Sequence, residues 1–578
     1  MAYIDWLGKK DVIHHHKKIP YKTIECQEEI GEKNTQNMII KGDNLLALKS
    51  LLPYYASSIK MIYIDPPYNT GNTSWVYNDN MDSPLIKKWL EKTVNAEDLS
   101  RSDKWLCMMY PRLKLLRELL KEDGVIFISI DDAEVAHLRM ICDDIFGNDN
   151  FVANVIWEKK FSPQNDAKWL SDNHDHILVY AKSKKIWRPF QLQRSDEAIA
   201  RYKNPDNDSR GKWTSSDLTV KTYSLEYDYE ITTPSGKAIK PTSGRCWMTS
   251  KTNMQKLISD NRLWFGKDGS NIPRLKKFLS EVQEGIVPMT IWYYDEVGHN
   301  QEAKQESNQI LYGKTLFETP KPTRLIQRII QLSTSKNDII LDSFAGSGTT
   351  AHAVLEQNRR DGGNRKFILI ETMDYAKDIT AERVKRVIEG YPFTGKDKTA
   401  LFEKKLSTTD ILNPKKMQSI SDEASQIIEE NGANFDKIEK TFSDNTLKLE
   451  GIKEVKSFKE GIGGGFKYCE LGSDIFDEFG ELNPSLAFQH IAKHLYFVEF
   501  KKPIQKDAIN EPYVGSFENR HIYFFEKNVK TSDVKKIVQA HSDYKEIIIY
   551  TKKTSISRDE LKKLNILVRY IPYDIKEN

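Results

Sequence analysis

The chain has 578 residues, 39% of them hydrophobic and 29% charged, with a formal net charge of +3. That length implies roughly two to four domains with cores of their own, and no apolar run approaches the ~18 residues of a membrane span. The five cysteines (Cys26, Cys107, Cys142, Cys246, Cys469) lie far apart with no CxxC pair, which argues against structural zinc or a disulfide framework and for a reducing cytoplasm.

Residues 1–20 are polar and read as a loosely ordered tail without a signal-peptide core; His14-His15-His16 in it reads as solvated, with no metal role. Strand-like runs at 37–41 and 60–64 flank a helix over 45–52. The second run, Met61-Ile62-Tyr63-Ile64, ends in Asp65-Pro66-Pro67-Tyr68. A residue before proline is pushed to extended geometry, and two prolines fix the chain just past the strand. Neither proline has an N–H, so the carbonyls of Asp65 and Pro66 are available to a cleft. A planar exocyclic amine has two hydrogens, and a carboxylate and a carbonyl accept one each. Tyr68 offers a flat face for a base drawn out of a duplex. A Pro-Pro pair alone marks only a loop; its order after a buried run, followed by Asn69-Thr70-Gly71, is what points to chemistry.

Residues 111–120 read as an amphipathic helix with Pro111 near its start and Gly124 past its end. A buried strand follows at 125–130, and Asp131-Asp132 starts the next helix. Strands at 155–157 and 176–180 close this half, with His174 and His176 as strand-edge residues rather than ligands. From 181 to 280 there are 20 Lys+Arg against 10 Asp+Glu, a surplus of +10, interleaved with Trp187, Tyr202, Trp213, Tyr223, Trp247 and Trp264. A basic, aromatic-rich segment is an electrostatic footprint for nucleic acid, with a solvated lysine-rich surface as the alternative. Lys212, Lys221, Arg245 and Lys276 are its candidate DNA contacts.

Lys321-Pro322-Thr323 opens a helix over 324–332 that leads into Ile339-Ile340-Leu341-Asp342 and then Phe344-Ala345-Gly346-Ser347-Gly348-Thr349. A glycine turn after a strand and before a helix opens many nucleotide-binding folds, because small residues let backbone approach the ligand. No lysine follows Gly348, which argues against a P-loop. Glu371, 23 residues beyond Gly348, ends a short apolar run at the spacing where an acid holds a ribose diol; by itself it is equally a helix cap or a solvated acid. From about 396 the composition shifts. Residues 403–460 are polar with a helical patch at 424–430, Gly461-Ile462-Gly463-Gly464-Gly465 punctuates, and β-like runs follow at 495–500, 521–525, 546–550 and 566–570. This reads as a separate α/β module. Its Glu499-Phe500-Lys501 is a weak hint of a nuclease, since no Pro-Asp precedes it at suitable distance.

In this order, the two motifs point to methyl transfer from S-adenosylmethionine to an adenine in DNA. They resemble the amino-methyltransferases of the β group, in which the catalytic tetrapeptide precedes the cofactor turn. Longer strings resemble the modification (Mod) subunits of type III restriction–modification systems. These are Gly42-Asp43-Asn44-Leu45-Leu46-Ala47-Leu48, Tyr63 through Gly71, Asp342 through Thr350, Gly362-Gly363-Asn364-Arg365, and Asn204 through Trp213.

The resemblance covers about 20–390. It implies an α/β, Rossmann-like methyltransferase sheet, S-adenosylmethionine as donor, adenine N6 in a short double-stranded DNA site as acceptor, and a homodimer able to join a helicase-nuclease subunit. It further implies that Asp43 faces the cofactor's adenine, and Asp342 and Asp65 its methionyl end. The domains expected are a tail at 1–20, a catalytic half at 21–182, an inserted target-recognition domain at 183–312, a cofactor half at 313–395 and a dimerisation or partner-docking module at 396–578. A bifunctional enzyme with a C-terminal nuclease, and a cytosine-N4 methyltransferase, are the alternatives. The step itself requires no metal.

Overall fold

The structure is a computed structural model that describes residues 5–70, 100–164, 167–282, 285–312, 317–443, 445–477, 481–504, 509–541 and 543–571. Gly71, at the end of the extended tetrapeptide motif, lies outside them. Two compact units emerge, one of residues 1–188 and 289–578, the other of Pro189–Pro288.

The larger unit is built on one mixed sheet. Its strands, in chain order, are β1 (Lys22–Gly31), β2 (Met38–Lys41), β3 (Ile59–Ile64), β4 (Leu120–Ile130), β5 (Phe151–Glu158), β6 (His174–Ala181), β7 (Ile291–Trp292), β8 (Ile339–Asp342), β9 (Lys366–Glu371) and β10 (Gly465–Asp474). Among the described residues they lie side by side as β1-β10-β2-β9-β8-β3-β4-β6-β5-β7. The run from β10 through β4 is parallel; β1 and β6 run against their neighbours. Crossovers are made by α1 (Asn44–Tyr55), α2 (Arg101–Leu119), α3 (Val135–Phe146), α4 (Thr323–Ser333) and α5 (Thr349–Asp361). This is the α/β architecture expected of alternating strands and helices.

The central strands are apolar throughout, as strands covered on both faces must be. Met61, Ile62, Ile64, Ile340, Leu341, Ile368 and Ile370 are all at most 1% exposed. In α4 the residues Leu325, Ile326, Ile329 and Ile330 repeat at helical spacing and are buried. Each such side chain contributes roughly 1.5–3 kcal/mol by leaving water.

Several expectations are corrected. Helix α2 begins ten residues before Pro111, because Ser100 and Asp103 form a capping box there; Pro111 sits inside the helix. Asp131 accepts from the Ala133 amide in a turn, and α3 starts only at Val135. The N-terminal segment is not loose. Short helices at Lys9–Val12 and His15–Lys18 put Val12, Ile19 and His16 into the interior, and burial lowers the His16 imidazole to about 4. The run at 495–500 is the end of a helix, Phe488–Phe500, whose Ile491, Ala492, Leu495 and Tyr496 form one buried face. Short apolar runs do not separate strand from helix.

The C-terminal boundary also differs. Past the Gly461–Gly465 punctuation, β10 enters the main sheet between β1 and β2. There Cys26 and Cys469 are cross-strand partners with Cα atoms 3.9 Å apart, and they are disulfide-bonded, contrary to the expectation from their spacing. Partners 443 residues apart in sequence are invisible to a search for local pairs. The other C-terminal strands form a three-stranded sheet with Thr446–Glu460 between Gly390–Lys405 and Lys437–Ser443, and a four-stranded sheet (Tyr513–Phe517, Arg520–Phe525, Glu546–Thr551, Ile566–Tyr570). Glu499 accepts from Tyr550 and Arg569, so the suspected nuclease triplet anchors a helix.

The smaller unit, 189–288, has its own core of Leu218, Ile231, Trp247, Met254, Leu263 and Phe265. The insertion is thus narrower than 183–312: Trp187 is buried in the larger unit, and β7 pairs with β5 in the main sheet.

Candidate functional site

Parallel strands β2, β9, β8 and β3 are neighbours, so their carboxyl ends share one edge of the sheet, where ligands of open α/β sheets bind. Those ends carry Asp43, Glu371, Asp342 and Asp65. The register pairs Leu341 with Ile62, which sets the tetrapeptide beside the glycine turn although 277 residues separate Asp65 from Asp342. A cavity of ≈ 340 Å³ opens at this edge. Asp65, Pro66, Pro67, Tyr68, Asp342, Phe344, Ala345, Gly346, Ser347 and Thr349 line it. Gly348, Asp43 and Glu371 do not.

Each of those three has a different task. Gly348 caps α5 with a left-handed φ of 81°, and a Cβ there would lie 3.0 Å from the Thr380 carbonyl. Asp43 caps α1, accepting from the Leu45 and Leu46 amides at 2.9 and 3.1 Å. The next residue, Asn44, donates to the Ser343 carbonyl at 3.0 Å, tying the Gly42-Asp43-Asn44 turn to the glycine turn. Glu371 closes the glycine turn: its two oxygens accept from the Gly346 amide at 2.8 Å and the Met373 amide at 2.9 Å.

Asp342 accepts from the Phe344 amide at 3.0 Å and the Thr350 hydroxyl at 2.6 Å. Both Asp342 and Glu371 are 2% exposed, and burial pushes each carboxyl up to about 7. Gly346 has φ 52°, a left-handed conformation, and a Cβ on it would stand 3.1 Å from the Phe317 ring.

Around the tetrapeptide the structure adds residues that the sequence did not single out. Lys321 forms an ion pair with Asp65 Oδ2, and its ammonium sits 5.1 Å from the centre of the Tyr68 ring. Burial pushes the Asp65 carboxyl up, opposed by the Lys321 charge. Asp65 Oδ1 is buried without a hydrogen-bond partner among the described residues. Buried Asp175 holds Lys159 Nζ at 2.8 Å, and the Tyr68 hydroxyl points to it at 3.4 Å. Trp105 donates to the Pro67 carbonyl at 2.7 Å and so fixes the turn. Behind the glycine turn, buried Arg383 donates to Ser347 and Thr349 and pairs with Glu306. Lys321-Pro322 at a helix start was the only local signal for any of these. Asp175 lay between two histidines whose side chains point to the opposite face, where His176 pairs with Asp132. Asp132, His174 and His176 cluster there.

In the 189–288 unit the four candidate contacts part ways. Lys212 and Lys221 are exposed. Lys276 is not a surface group: its side chain is fully buried, held by Asp206 and Asp208 and set over Trp213. It lies on an inward position of the strand Arg274–Phe278, next but one to buried Phe278. Arg245 is bound to Asp217 at 3.0 Å and to the Thr219 hydroxyl and carbonyl. Trp213 and Trp247 are buried, so they serve the core.

The family model described as "DNA methylase" (N6_N4_Mtase) matches residues 59–382 of this chain. The Mod subunit of the type III restriction-modification enzyme StyLTI of Salmonella typhimurium is 41% identical over 389 residues, covering 64% of this chain and 58% of that protein. The EcoPI Mod subunit of Escherichia phage P1 is 32% identical over 461 residues, 70% of this chain and 69% of that one. The type II methyltransferase M.KpnI of Klebsiella pneumoniae is 31% identical over 392 residues, 62% and 89% of the two chains. The chain thus spans less than three fifths of the length of the first of these relatives. The matched segment contains both the tetrapeptide and the glycine turn, and the chain belongs to the N6/N4 DNA methylase family.

Proposed function

We propose that this chain methylates N6 of an adenine in a short double-stranded DNA sequence, using S-adenosylmethionine, as the modification and recognition subunit of a type III restriction system. The observation that carries the reading is the convergence of Asp65-Pro66-Pro67-Tyr68 and the Phe344–Gly348 turn on one cavity at neighbouring strand ends. The similarity to Mod subunits of type III restriction-modification enzymes supports the subunit reading; a homodimer, a helicase-nuclease partner and adenine rather than cytosine as target are parts of the proposal.

The residues present fit the cofactor. Gly346 lines the cavity where a Cβ would press on Phe317, another lining residue, a buried oxygen of Asp65 has no partner among the described residues, and Asp342 offers a carboxylate for a cationic group. Glu371, with both oxygens taken by amides, is suited to a ribose through its remaining lone pairs. When bound, S-adenosylmethionine supplies a methyl group already activated by its positively charged sulfur. The protein therefore has to align the target amine and exclude water, which is proximity catalysis worth several kcal/mol. Asp65 and the Pro66 carbonyl accept the two amine hydrogens and stabilise the positive charge that grows on nitrogen. Lys321 already presents an N–H donor to Asp65 over the Tyr68 face, the position that the flipped amine needs. The amine proton becomes acidic only after transfer, so Asp65 need not be a strong base.

The 189–288 unit is assigned to target recognition. Asp206, Asp208, Asp217, Asp260 and Glu281 are held internally by Arg210, Arg245, Arg262 and Lys276, while Lys212 and Lys221 remain at the surface for phosphates. Methylation-sensitive sequencing of DNA from cells expressing the chain should show N6-methyladenine at one short asymmetric sequence. Unmodified adenines throughout would refute the proposal.

A further inference from the structure

The two large apolar side chains with the greatest exposure among the described residues are adjacent: Trp169 at 92% and Leu170 at 91%. They lie on the loop 159–173 that joins β5 to β6. β6 is antiparallel to both β4 and β5, and β3 is parallel to β4, so β5 runs parallel to β3. The loop therefore leaves the sheet at the same edge as Asp65.

Its feet belong to the cavity. Lys159, Lys160, Asp172 and Asp175 are all lining residues. The base of the loop is braced: the Lys159 amide donates to the Asn173 carbonyl at 2.9 Å, and Lys159 Nζ bridges Asp172 and Asp175 at 2.8 Å each. Further out, the Gln164 amide donates to the Ser171 hydroxyl at 2.8 Å. The frame is thus tied to the catalytic edge while its apolar pair points to solvent. Lys168, exposed, precedes the pair.

We propose that Trp169 and Leu170 are a wedge for duplex DNA, entering the base stack at the gap left when the target adenine is turned into the cavity. Extrusion breaks stacking on both neighbours of the base. A planar indole restores a stacking partner, and an aliphatic side chain props the step apart, as apolar wedges do elsewhere. Lys168 supplies a cation for the adjacent phosphate. Attachment to the cavity rim explains why so exposed a pair is placed here: the distance between gap and catalytic carboxylate is set by a braced loop. The inference rests on the adenine-extrusion reading above.

The test uses the full chain and a duplex of about 30 base pairs carrying the sequence identified by methylation sequencing. The variant Trp169→Ala/Leu170→Ala should lose on the order of 10-fold or more in single-turnover methyl transfer to the matched duplex. Its cofactor affinity, measured by calorimetry, should stay as in the parent. A duplex with a mismatch opposite the target adenine already has a loosened base, and on it the variant should recover to within about threefold of the parent. With 2-aminopurine at the target position, the fluorescence rise on binding should shrink in the variant. A variant as fast as the parent on the matched duplex, or equally slowed on matched and mismatched DNA, overturns the wedge. Failure of the parent to methylate any adenine would instead sink the underlying function, so the two failures are distinguishable.

Discussion

The catalytic edge and the 189–288 unit use carboxylates in opposite ways. At the edge, Asp342 and Glu371 are buried among amides and hydroxyls, and burial raises both to about 7. Asp65 is raised too, with Lys321 as its counter-charge. In the smaller unit, Asp206, Asp208, Asp217 and Glu281 are all lowered by hydrogen-bonded partners, chiefly Lys276, Arg210, the Thr219 amide and Arg262 respectively. At the edge, neutral amides and hydroxyls hold Asp342 and Glu371, and Asp65 keeps Oδ1 without a partner among the described residues; in the smaller unit, cations pair with the acids and hold a small domain together. Perturbation towards the neutral form, together with a cavity, is what separates a working acid from a bracing one.

The strongest way to break the comparison is at Asp65. Asp65→Ala should reduce methyl transfer on the order of 100-fold or more, if this carboxylate supplies a few kcal/mol of transition-state stabilisation. Cofactor and DNA binding should remain measurable; near-parental tritium transfer from labelled cofactor would remove Asp65 from the mechanism. Gly346→Val should come next. The φ of 52° is strained for any branched residue, and the new side chain meets Phe317. Calorimetry should show cofactor binding lost, with the circular dichroism spectrum retained; unchanged affinity would place the cofactor elsewhere.

On the other side of the comparison, Lys276→Met should destabilise the protein by about 3–5 kcal/mol, because it leaves Asp206 and Asp208 without their buried cation. Denaturant unfolding is the measurement. Lys212→Ala should leave stability alone and flatten the salt dependence of DNA binding by roughly one unit of slope, for all sequences alike. Loss of stability at Lys212, or none at Lys276, would reverse their assignments.

The smallest effect concerns pH. Burial pushes the Asp342 carboxyl up to about 7, and a cationic ligand group binds its ionised form. Cofactor affinity should therefore rise between about pH 6 and 8, with proton release on binding. The sign for the cofactor-free fold is opposite: carboxyls raised by burial add stability at low pH that is lost as pH climbs through 7. Calorimetry in two buffers of different ionisation enthalpy measures the released protons. A pH-independent affinity would take Asp342 out of the cofactor site.

These contrasts also explain what was legible in the sequence. Asp65-Pro66-Pro67-Tyr68 and the glycine turn were readable because each is a local string at the end of an apolar strand, and local strings keep their meaning without a fold. Lys276 was misread for the complementary reason. Its cation looks the same in a basic stretch whether it faces water or Asp206, and only the pairing of Arg274–Phe278 with Trp213–Ser216 decides. Tyr68–Asp175, Lys321–Asp65 and Arg383–Thr323 span 107, 256 and 60 residues of chain, and Lys159–Asp175 spans 16, so no local spacing rule reaches them. The helix Phe488–Phe500 was read as a strand from its last six residues, since a short apolar run fits both periods. The Cys26–Cys469 pairing needed the register of β1 against β10.

The central claim is that the cavity between the tetrapeptide and the glycine turn methylates adenine N6 in DNA. The most direct measurement is a reaction of the purified chain with methyl-labelled S-adenosylmethionine and unmethylated double-stranded DNA, followed by digestion to nucleosides and chromatographic identification of the labelled one. Label confined to N6-methyl-2′-deoxyadenosine is the predicted result. Label in N4-methyl-2′-deoxycytidine, or none in DNA that the chain demonstrably binds together with the cofactor, would contradict it.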